Sequence, residues 1–409
     1  MHANKLLCSM ILLISTSLFA QSSTVSISFA ELDDYVRTKS PTGKIITSNY
    51  DLAVLQGKSE LHWSNPELEA EYESVENNFD ADKESVIAIG KNFAAPWARS
   101  LQRSAVKENV RASEYEMKSH HLDAVANAKM VYVDIQLAQQ QIIAFEGFQE
   151  VIKNASNIAN DRKDAGTISG LENQLIQMSL FNLGAQLLQL KREKRVMEND
   201  FRTSLGIADD QKLELTTDIS FVAANLDQNE YYARAKKSPA FARFQHLQTA
   251  KEKQVRLEKM RVLPGMRLSG GYKNVNDDFR GYTVGLSLPL PVLNLNKSQI
   301  QQKQVERNII SLEYDLYKSF VERNLEAKFV SAQELADFLR ENDEQFRTAD
   351  KLVADLVFSF QEGWLELGDV LDGIQVYSES LSNYYQQLSD YYENIFDIEV
   401  MIANEIINL

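Results

Sequence analysis

Polar and apolar side chains alternate strictly over residues 67–74, where glutamate occupies every odd position and Leu68 and Tyr72 lie between the glutamates. A polar turn then leads to the apolar run of residues 86–90. Because successive side chains of a β-strand point to opposite faces, this pattern predicts a hairpin over about residues 67–91. One face of the hairpin is acidic and the other is apolar.

The same pattern returns later in the chain. Leu268 and Tyr272 alternate with polar residues, and after a second polar turn apolar side chains occupy alternate positions of residues 282–288. We predict a second hairpin over about residues 265–290. Four such strands can cover a soluble core, or they can form part of a transmembrane β-barrel, whose strands span about 9–11 residues. The pattern alone leaves both interpretations open.

Long stretches without helix breakers follow each hairpin. Residues 98–161 contain no proline and a single glycine, and residues 298–360 contain neither. At 1.5 Å per residue, each stretch spans roughly 90–95 Å if it is unbroken. The segments after them carry apolar residues at steps of three and four, which favours antiparallel coiled-coil pairing. Gly166 and Gly363 are predicted to end the first helix of each pair, because glycine readily takes the left-handed conformation.

Landmarks in the two halves recur at a constant offset, which predicts an internal duplication. Lys39-Ser40-Pro41 returns as Lys237-Ser238-Pro239, 198 residues later, and Gly166 is matched by Gly363, 197 residues later. We assign a first repeat to residues 23–215, with its helices at about 98–205. A second repeat is assigned to residues 216–409, with its helices at about 297–407.

Residues 1–22 have the composition of a secretory signal peptide. Lys5 precedes an apolar core that runs from Leu6 to Phe19, and small residues follow. The single cysteine, Cys8, lies in this core. Removal of the signal peptide would leave a mature chain without cysteine, and therefore with neither disulfides nor thiolate chemistry.

Charge and motif content narrow the function classes. The formal charge of −15 argues against a nucleic-acid partner, since phosphate contacts need a basic surface. No apolar run reaches the 18 residues of a spanning helix, so a polytopic helical membrane protein is excluded. The five histidines have no catalytic or metal-ligand spacing. We therefore predict no enzyme activity, no cofactor and no metal site.

Two turn motifs carry a resemblance to a known family. The first turn has Arg162, then Gly166, then Ser169 and Glu172, and the second has Gly363 followed by the run Asp369-Val370-Leu371-Asp372. Together with the hairpins and long helices, these motifs resemble the TolC-type outer-membrane efflux protein family. The junction over residues 285–291 is similar to its heavy-metal efflux branch.

The resemblance implies a mainly α fold with a small β part. Long antiparallel coiled-coil helices would form a periplasmic α-barrel, and four strands per chain would join a trimeric, 12-stranded β-barrel in the outer membrane of a Gram-negative bacterium. Such a homotrimer is a passive exit duct for a tripartite efflux or type I secretion system, with metal cations or drugs as cargo. Its partners would be outer-membrane lipid, a periplasmic adaptor and an inner-membrane pump of the RND or ABC type. The alternative is a soluble periplasmic coiled-coil scaffold or adaptor.

Four groups of site residues follow from the resemblance and the strand pattern. The periplasmic gate would use Asp369, Asp372 and Glu172. The tip turns that dock the adaptor would use Arg162, Gly166, Thr167, Ile168, Ser169, Gly363, Trp364 and Leu365. The barrel lumen would be lined by Glu67, Glu69, Glu71 and Glu73. The side chains facing lipid would be Leu68, Tyr72, Ile87, Ile89, Leu268, Tyr272, Val284, Leu286 and Leu288.

Two positions of the second turn depart from the family pattern. Leu365 stands where the family has an arginine that ties neighbouring chains together, and Phe360 replaces a tyrosine that makes a closing hydrogen bond. A closed state of this protein must therefore be held differently.

Overall fold

The computed structural model describes residues 24–76, 81–93, 95–164, 170–262, 265–276, 279–290, 295–347, 349–407 and 409. The predicted signal peptide lies outside these ranges. So do four residues of the first predicted tip turn: Gly166, Thr167, Ile168 and Ser169.

The described chain is mainly helical, with two small sheets. The strands are β1 (Thr24–Ile27), β2 (Glu67–Glu76), β3 (Ala81–Phe93), β4 (Lys212–Leu215), β5 (Met266–Val275) and β6 (Phe279–Ser287). The helices are α1 (Leu32–Thr38), α2 (Pro41–Glu60), α3 (Pro96–Asp164), α4 (Gly170–Leu205), α5 (Gln228–Ala235), α6 (Pro239–Met260), α7 (Lys297–Arg347), α8 (Ala349–Gln361) and α9 (Leu367–Ile402). Apart from the separate α8, elements β1 to α4 and β4 to α9 follow one another in the same order. Within the described residues, no helix has the length and hydropathy needed to cross a lipid bilayer.

The two predicted hairpins join into one antiparallel sheet with the strand order β2-β3-β5-β6. Leu68 pairs with Ile89, Ile89 with Gly270, and Gly270 with Val284, so a single row crosses all four strands. Strands β2 and β6 each have one neighbour within this sheet and form its two edges. The sheet of one chain is therefore open.

The helices lie side by side, and their spatial order α2-α3-α6-α7 is that of the strands to which they connect, β2-β3-β5-β6. Near the sheet, α3 packs against α2 and α6, and α6 packs against α7. Away from the sheet, α3 packs against α4 and α9. Two apolar clusters hold this layer together, one around Tyr132, Tyr391 and Tyr392 and one around Phe148 and Phe360.

A parallel pair of short strands, β1 and β4, connects the two halves of the chain through residues 24–27 and 212–215. Tyr132 supports the pair from α3: its hydroxyl donates to the carbonyl of Ile27 at 3.2 Å and accepts from the N–H of Thr217 at 2.9 Å. Close to this pair, the Lys129 side chain is 7% exposed and contacts the carboxylates of Glu399 at 3.5 Å and Glu405 at 2.7 Å. This buried cluster joins α3 to the end of the chain.

The elbow between α1 and α2 is closed by Ser40, which is 1% exposed. Its hydroxyl donates to the carbonyl of Val36 at 2.6 Å and accepts from the N–H of Gly43 at 2.9 Å, which caps α2. Gly43 lies so close to α1 that an added Cβ would come within 2.1 Å of the Val36 carbonyl oxygen. Only glycine fits this approach.

Glu306 connects α6 to α7 and gives the fold an acid-sensitive contact. Its carboxylate accepts from Lys303 at 2.8 Å and from Lys251 at 2.9 Å, and these bonds lower its pKa from 4.5 to about 2. Because the folded chain holds the ionised form, this stabilisation is present above pH 4.5 and is lost as the pH falls towards 2.

We expect Glu306→Gln to lower the free energy of unfolding by about 1–3 kcal/mol at neutral pH. The variant should also lose less stability than the natural protein between pH 5 and pH 2. Denaturant midpoints of the purified protein measure both effects. Glu313→Gln, which changes an exposed glutamate on the same helix, is the control. Equal acid sensitivity of the natural protein and the Glu306 variant would contradict the assignment.

Candidate functional site: the sheet faces and the helical tip

One face of the four-stranded sheet is apolar and exposed. The paired rows place eight of the nine residues predicted to face lipid on this face, and the ninth, Leu288, follows the end of β6. Tyr282, which is 91% exposed, lies on the same face. An uncovered apolar surface of this extent is typical of a contact with lipid or with another protein.

The opposite face is acidic. Glu67, Glu69, Glu71 and Glu73 share it, as the alternation predicted, and the register adds Asp82 and Glu84 from β3. Two bases from β5 lie on this face as well. Arg267 contacts Glu67 at 2.8 Å and also contacts Glu69, and Lys273 contacts Glu84.

These bases were missed from the sequence, because only the strand register shows that β5 places them beside the acids. Among the described strand residues, the face carries six carboxylates and two bases. Glu71 and Glu73 form no ion pair with a described residue. The uncompensated negative charge is therefore greatest in the middle and at the far end of β2.

At the other end of the chain, a tight turn joins α8 to α9. Gly363 has a φ of 77°, the left-handed conformation predicted for it, and the N–H of Trp364 returns to the carbonyl of Ser359 at 2.8 Å. The Trp364 side chain is 69% exposed and its ring lies edge-on to that of Phe358, with 5.8 Å between the centroids. Leu365 is half-buried. The turn thus presents an aromatic pair at the tip of the helical layer.

Asp369 and Asp372 are both exposed on the first turns of α9. Asp369 also has a local structural role: its carboxylate accepts from the N–H of Glu366 at 3.1 Å, which completes a capping box. The sequence signal for this role was present as an acid three residues after the cap. Phe360 is 2% exposed and packs in the cluster near the tip.

The other predicted tip residues give less information. Arg162 lies near the end of α3 and Glu172 near the start of α4, on either side of the undescribed turn, and their side chains are outside the described part of the structure.

No group of three or more potential metal-ligating side chains was found within the described ranges.

The two outer helices of the layer carry apolar stripes that no other described residue covers. On α4, large exposed apolar side chains recur at Leu171, Leu175, Met178, Phe181 and Leu188. On α7, they recur at Val305, Ile309, Leu312, Leu316 and Phe320. The two stripes lie at opposite edges of the helical layer, just as β2 and β6 lie at opposite edges of the sheet.

Neither a protein-family model nor a curated protein matches the sequence. Solved structures do match in fold. The outer-membrane channel OprN superposes with a TM-score of 0.76 at 13% identity, over 92% of this chain and 90% of OprN. For the CmeC outer membrane channel of Campylobacter jejuni the TM-score is 0.73 at 13% identity, over 91% of this chain and 85% of CmeC. For the outer membrane protein VceC of Vibrio cholerae it is 0.71 at 12% identity, over 93% and 97%.

These likenesses define the class of fold: a layer of long antiparallel helices that continues into a four-stranded segment of sheet. It is the fold of TolC-type outer-membrane channels. The predicted resemblance to the TolC-type family is therefore confirmed for the fold, over most of the chain.

Proposed function

We propose that this protein is one subunit of a TolC-type exit duct in the outer membrane of a Gram-negative bacterium, with its helices extending into the periplasm. The observation that carries the proposal is the pair of open edges. In one chain, β2 and β6 end the sheet, and the apolar stripes of α4 and α7 end the helical layer. When one edge of each copy meets the opposite edge of the next copy, the copies form a closed ring if the rotation between them closes.

Closure of the ring would also pair the backbone groups at the two open edges of the sheet. A β-structure in lipid needs every backbone N–H and C=O group paired, which an open four-stranded sheet cannot achieve. Three copies would supply twelve strands, with the apolar face towards lipid and the acidic face towards the lumen. The helices would then close into a periplasmic duct around the same axis. The duct conducts passively and catalyses no reaction.

The tip is assigned to a periplasmic adaptor that connects the duct to an inner-membrane pump of the RND or ABC type. Gly363, Trp364 and Leu365 would contact it from the second turn, and Arg162, Gly166, Thr167, Ile168 and Ser169 from the first. The Trp364–Phe358 pair supports this assignment, since exposed aromatic side chains are frequent anchors of protein interfaces.

Metal cations fit an acidic lumen as cargo, and drugs are the second cargo class.

Fractionation with crosslinking tests the duct directly. We expect the protein in the outer membrane, extractable only with detergent, and crosslinked to trimers by an amine-reactive reagent. The purified trimer should form pores in planar bilayers. A protein released by osmotic shock without detergent, and without channel activity, would instead establish the soluble periplasmic scaffold.

The acidic face predicts a cation-selective pore, since a lumen lined by one sign of charge concentrates the opposite ion. Replacing Glu71 and Glu73 with glutamine halves the net negative charge of the described face, and the cation-to-anion permeability ratio should fall. Reversal potentials under a salt gradient measure this ratio. Glu76→Gln, on the opposite face of β2, is the control and should leave the ratio unchanged. Anion selectivity of the natural pore would contradict the lumen assignment.

The gate assignment predicts different results for the two tip acids. In a ring of three chains, Asp372 and Asp369 would form two acidic rings that a multivalent cation can bridge, with Glu172 nearby. Asp372→Ala should weaken block by such a cation and leave stability unchanged. Asp369→Ala should weaken block and also destabilise α9 by about 0.5–2 kcal/mol, through loss of the capping box. Unchanged block in the double variant would reject the rings.

A further inference from the structure

The helix ends next to the sheet are basic, although the chain as a whole is acidic. We call these ends the collar: residues 50–60, 96–106, 250–261 and 297–307, which are about three turns of α2, α3, α6 and α7. The collar contains eleven lysines and arginines and five aspartates and glutamates, in a chain whose formal charge is −15. This charge lies where the sheet meets the helices.

Much of the collar charge is not neutralised within the chain. Glu306 and Glu258 are already occupied by Lys251, Lys303 and Arg261. The remaining basic residues are exposed or half-buried and form no ion pair with a described residue, apart from Lys253, which contacts Glu108. They are Lys58, Arg99, Arg103, Arg256, Lys259, Lys297 and Arg307.

A cavity of about 570 Å³ opens between the collar and the base of the sheet. Its wall includes three arginines together with Trp63 and Phe93. Arg267 is held by glutamates of β2 and Arg261 by Glu258. The third arginine, Arg99, forms no ion pair with a described residue, and neither does Glu60, which also lines the cavity.

The surroundings of Arg99 leave it able to bind an anion. Its guanidinium lies 4.8 Å from the centroid of the Trp63 ring and donates to the carbonyl of Leu61. Its Nε atom is buried and has no hydrogen-bond partner within the described structure. Buried donors are nearly always paired in folded proteins, so we infer that this one takes an acceptor from outside the described residues.

The cavity reaches both faces at the base of the sheet, with Arg267 on its acidic side and Trp63 on its apolar side. The Trp63 ring contacts Phe93 at 6.2 Å and lies beneath the ammonium of Lys91 at 5.6 Å. Lys91 shares a row with Leu268 and Leu286 on the apolar face. Tryptophan and basic residues just beyond an apolar band are characteristic of the level of lipid headgroups.

We propose that this cavity binds the phosphate of an acidic phospholipid headgroup in the periplasmic leaflet, with Arg99 and Trp63 in its wall and with Lys91, whose ammonium lies over the Trp63 ring, as a second cation beside it. The inference rests on the proposed function, because it requires the sheet to lie in the membrane. Arginine provides the planar fork of donors that suits a phosphate. The other basic residues of the collar add long-range attraction to an anionic surface.

The experiment compares lipid retained by the full-length protein. Trimers are reconstituted in nanodiscs of equal parts phosphatidylglycerol and phosphatidylcholine, and native mass spectrometry then counts the lipids that stay bound. The natural protein should retain phosphatidylglycerol preferentially. Arg99→Gln should reduce that preference about fivefold for the single charge removed. Arg99→Lys, which keeps the charge, should retain most of it.

Two further variants keep the result interpretable. Lys91→Gln with Arg103→Gln removes two charges from the same region and leaves the Arg99 bond to Leu61 in place. This double variant should also reduce the preference for phosphatidylglycerol, and it replaces Arg99→Gln as the test if that variant does not fold. Lys236→Gln with Lys237→Gln removes two exposed charges at the opposite end of α6, about 33 Å away along the helix, and should change nothing.

Inserted trimers that conduct ions and retain both lipids equally would overturn the lipid site alone. So would a preference that Arg99→Gln and the Lys91 and Arg103 variant leave intact. Absence of inserted trimers in any lipid would overturn the proposed function, and the lipid site with it.

Discussion

Lys129→Ala is expected to destabilise the folded chain by about 3–5 kcal/mol, because it removes one partner of a buried ion pair and leaves the other uncompensated. The Lys129 ammonium lies between the carboxylates of Glu399 and Glu405 and within 5.4 Å of the Phe29 ring centroid. Glu399 in turn accepts from the N–H groups of Ile406 and Ile407 at 2.6 and 3.1 Å. The substitution should therefore loosen the end of the chain as well as α3.

The loss should depend on pH. Burial raises the pKa of Glu399, while Lys129 and the two N–H groups favour its ionised form. Without Lys129, the pKa of Glu399 in the folded chain rises further. The part of the destabilisation that comes from this pKa shift is absent below the unfolded value of 4.5. It grows as the pH rises through the folded-state pKa of Glu399. Denaturant midpoints at pH 4 and pH 8 measure this difference.

Lys191→Ala is the matched control, since its ion pair with Glu146 is exposed on both sides. Exposed pairs contribute about 0–1 kcal/mol. In a second comparison, Lys129→Met combined with Glu399→Gln should be more stable than Lys129→Ala alone, because no buried charge is then left unpaired. A Lys129→Ala variant as stable as the Lys191→Ala variant would show that the cluster is not buried as described.

Gly43→Ala is expected to destabilise the protein by about 1–3 kcal/mol or more, because the added methyl group overlaps the backbone. Its Cβ would lie 2.1 Å from the carbonyl oxygen of Val36 and 2.7 Å from that of Arg37. The only relief is to move α1 away from α2, which also lengthens both bonds of the Ser40 hydroxyl. Thermal unfolding followed by circular dichroism measures the loss.

Gly147→Ala provides a control with the opposite sign. Gly147 lies within α3, and nothing in the described structure lies within 4 Å of an added Cβ. Alanine should stabilise this position by about 0.5–1 kcal/mol, since it loses less backbone freedom in a helix than glycine does. If both substitutions changed stability in the same direction, close helix packing at Gly43 would be refuted.

The parts of the fold that were predicted correctly have periodic sequences. Alternation places Glu67 and Leu68 on opposite faces, and the register confirms it. The left-handed turn at Gly363 is also as predicted. By contrast, β1 and β4 were not predicted, because four-residue strands at residues 24–27 and 212–215 are too short to show a period.

The candidate site was predicted in outline only. The acids of β2 were found from their spacing, whereas Arg267 becomes their partner only through the pairing of β3 with β5. Contacts between residues 200 positions apart depend on register, which a single strand does not encode. The basic collar was missed for a related reason, since its charges come from four separate segments that the fold brings to one level.

The parallel pair β1–β4 has a consequence for the order of folding. Thr24 and Lys212 are partners across 188 positions, so pairing closes a loop whose entropy cost is about 4–5 kcal/mol before any contact is gained. Two strands of four residues cannot offset that cost alone. They become stable only when Tyr132 and the apolar cluster around it are in place. As the exported chain emerges from its N-terminus, residues 24–27 must remain unpaired until residue 215 has emerged, which makes this pairing a late step with high contact order.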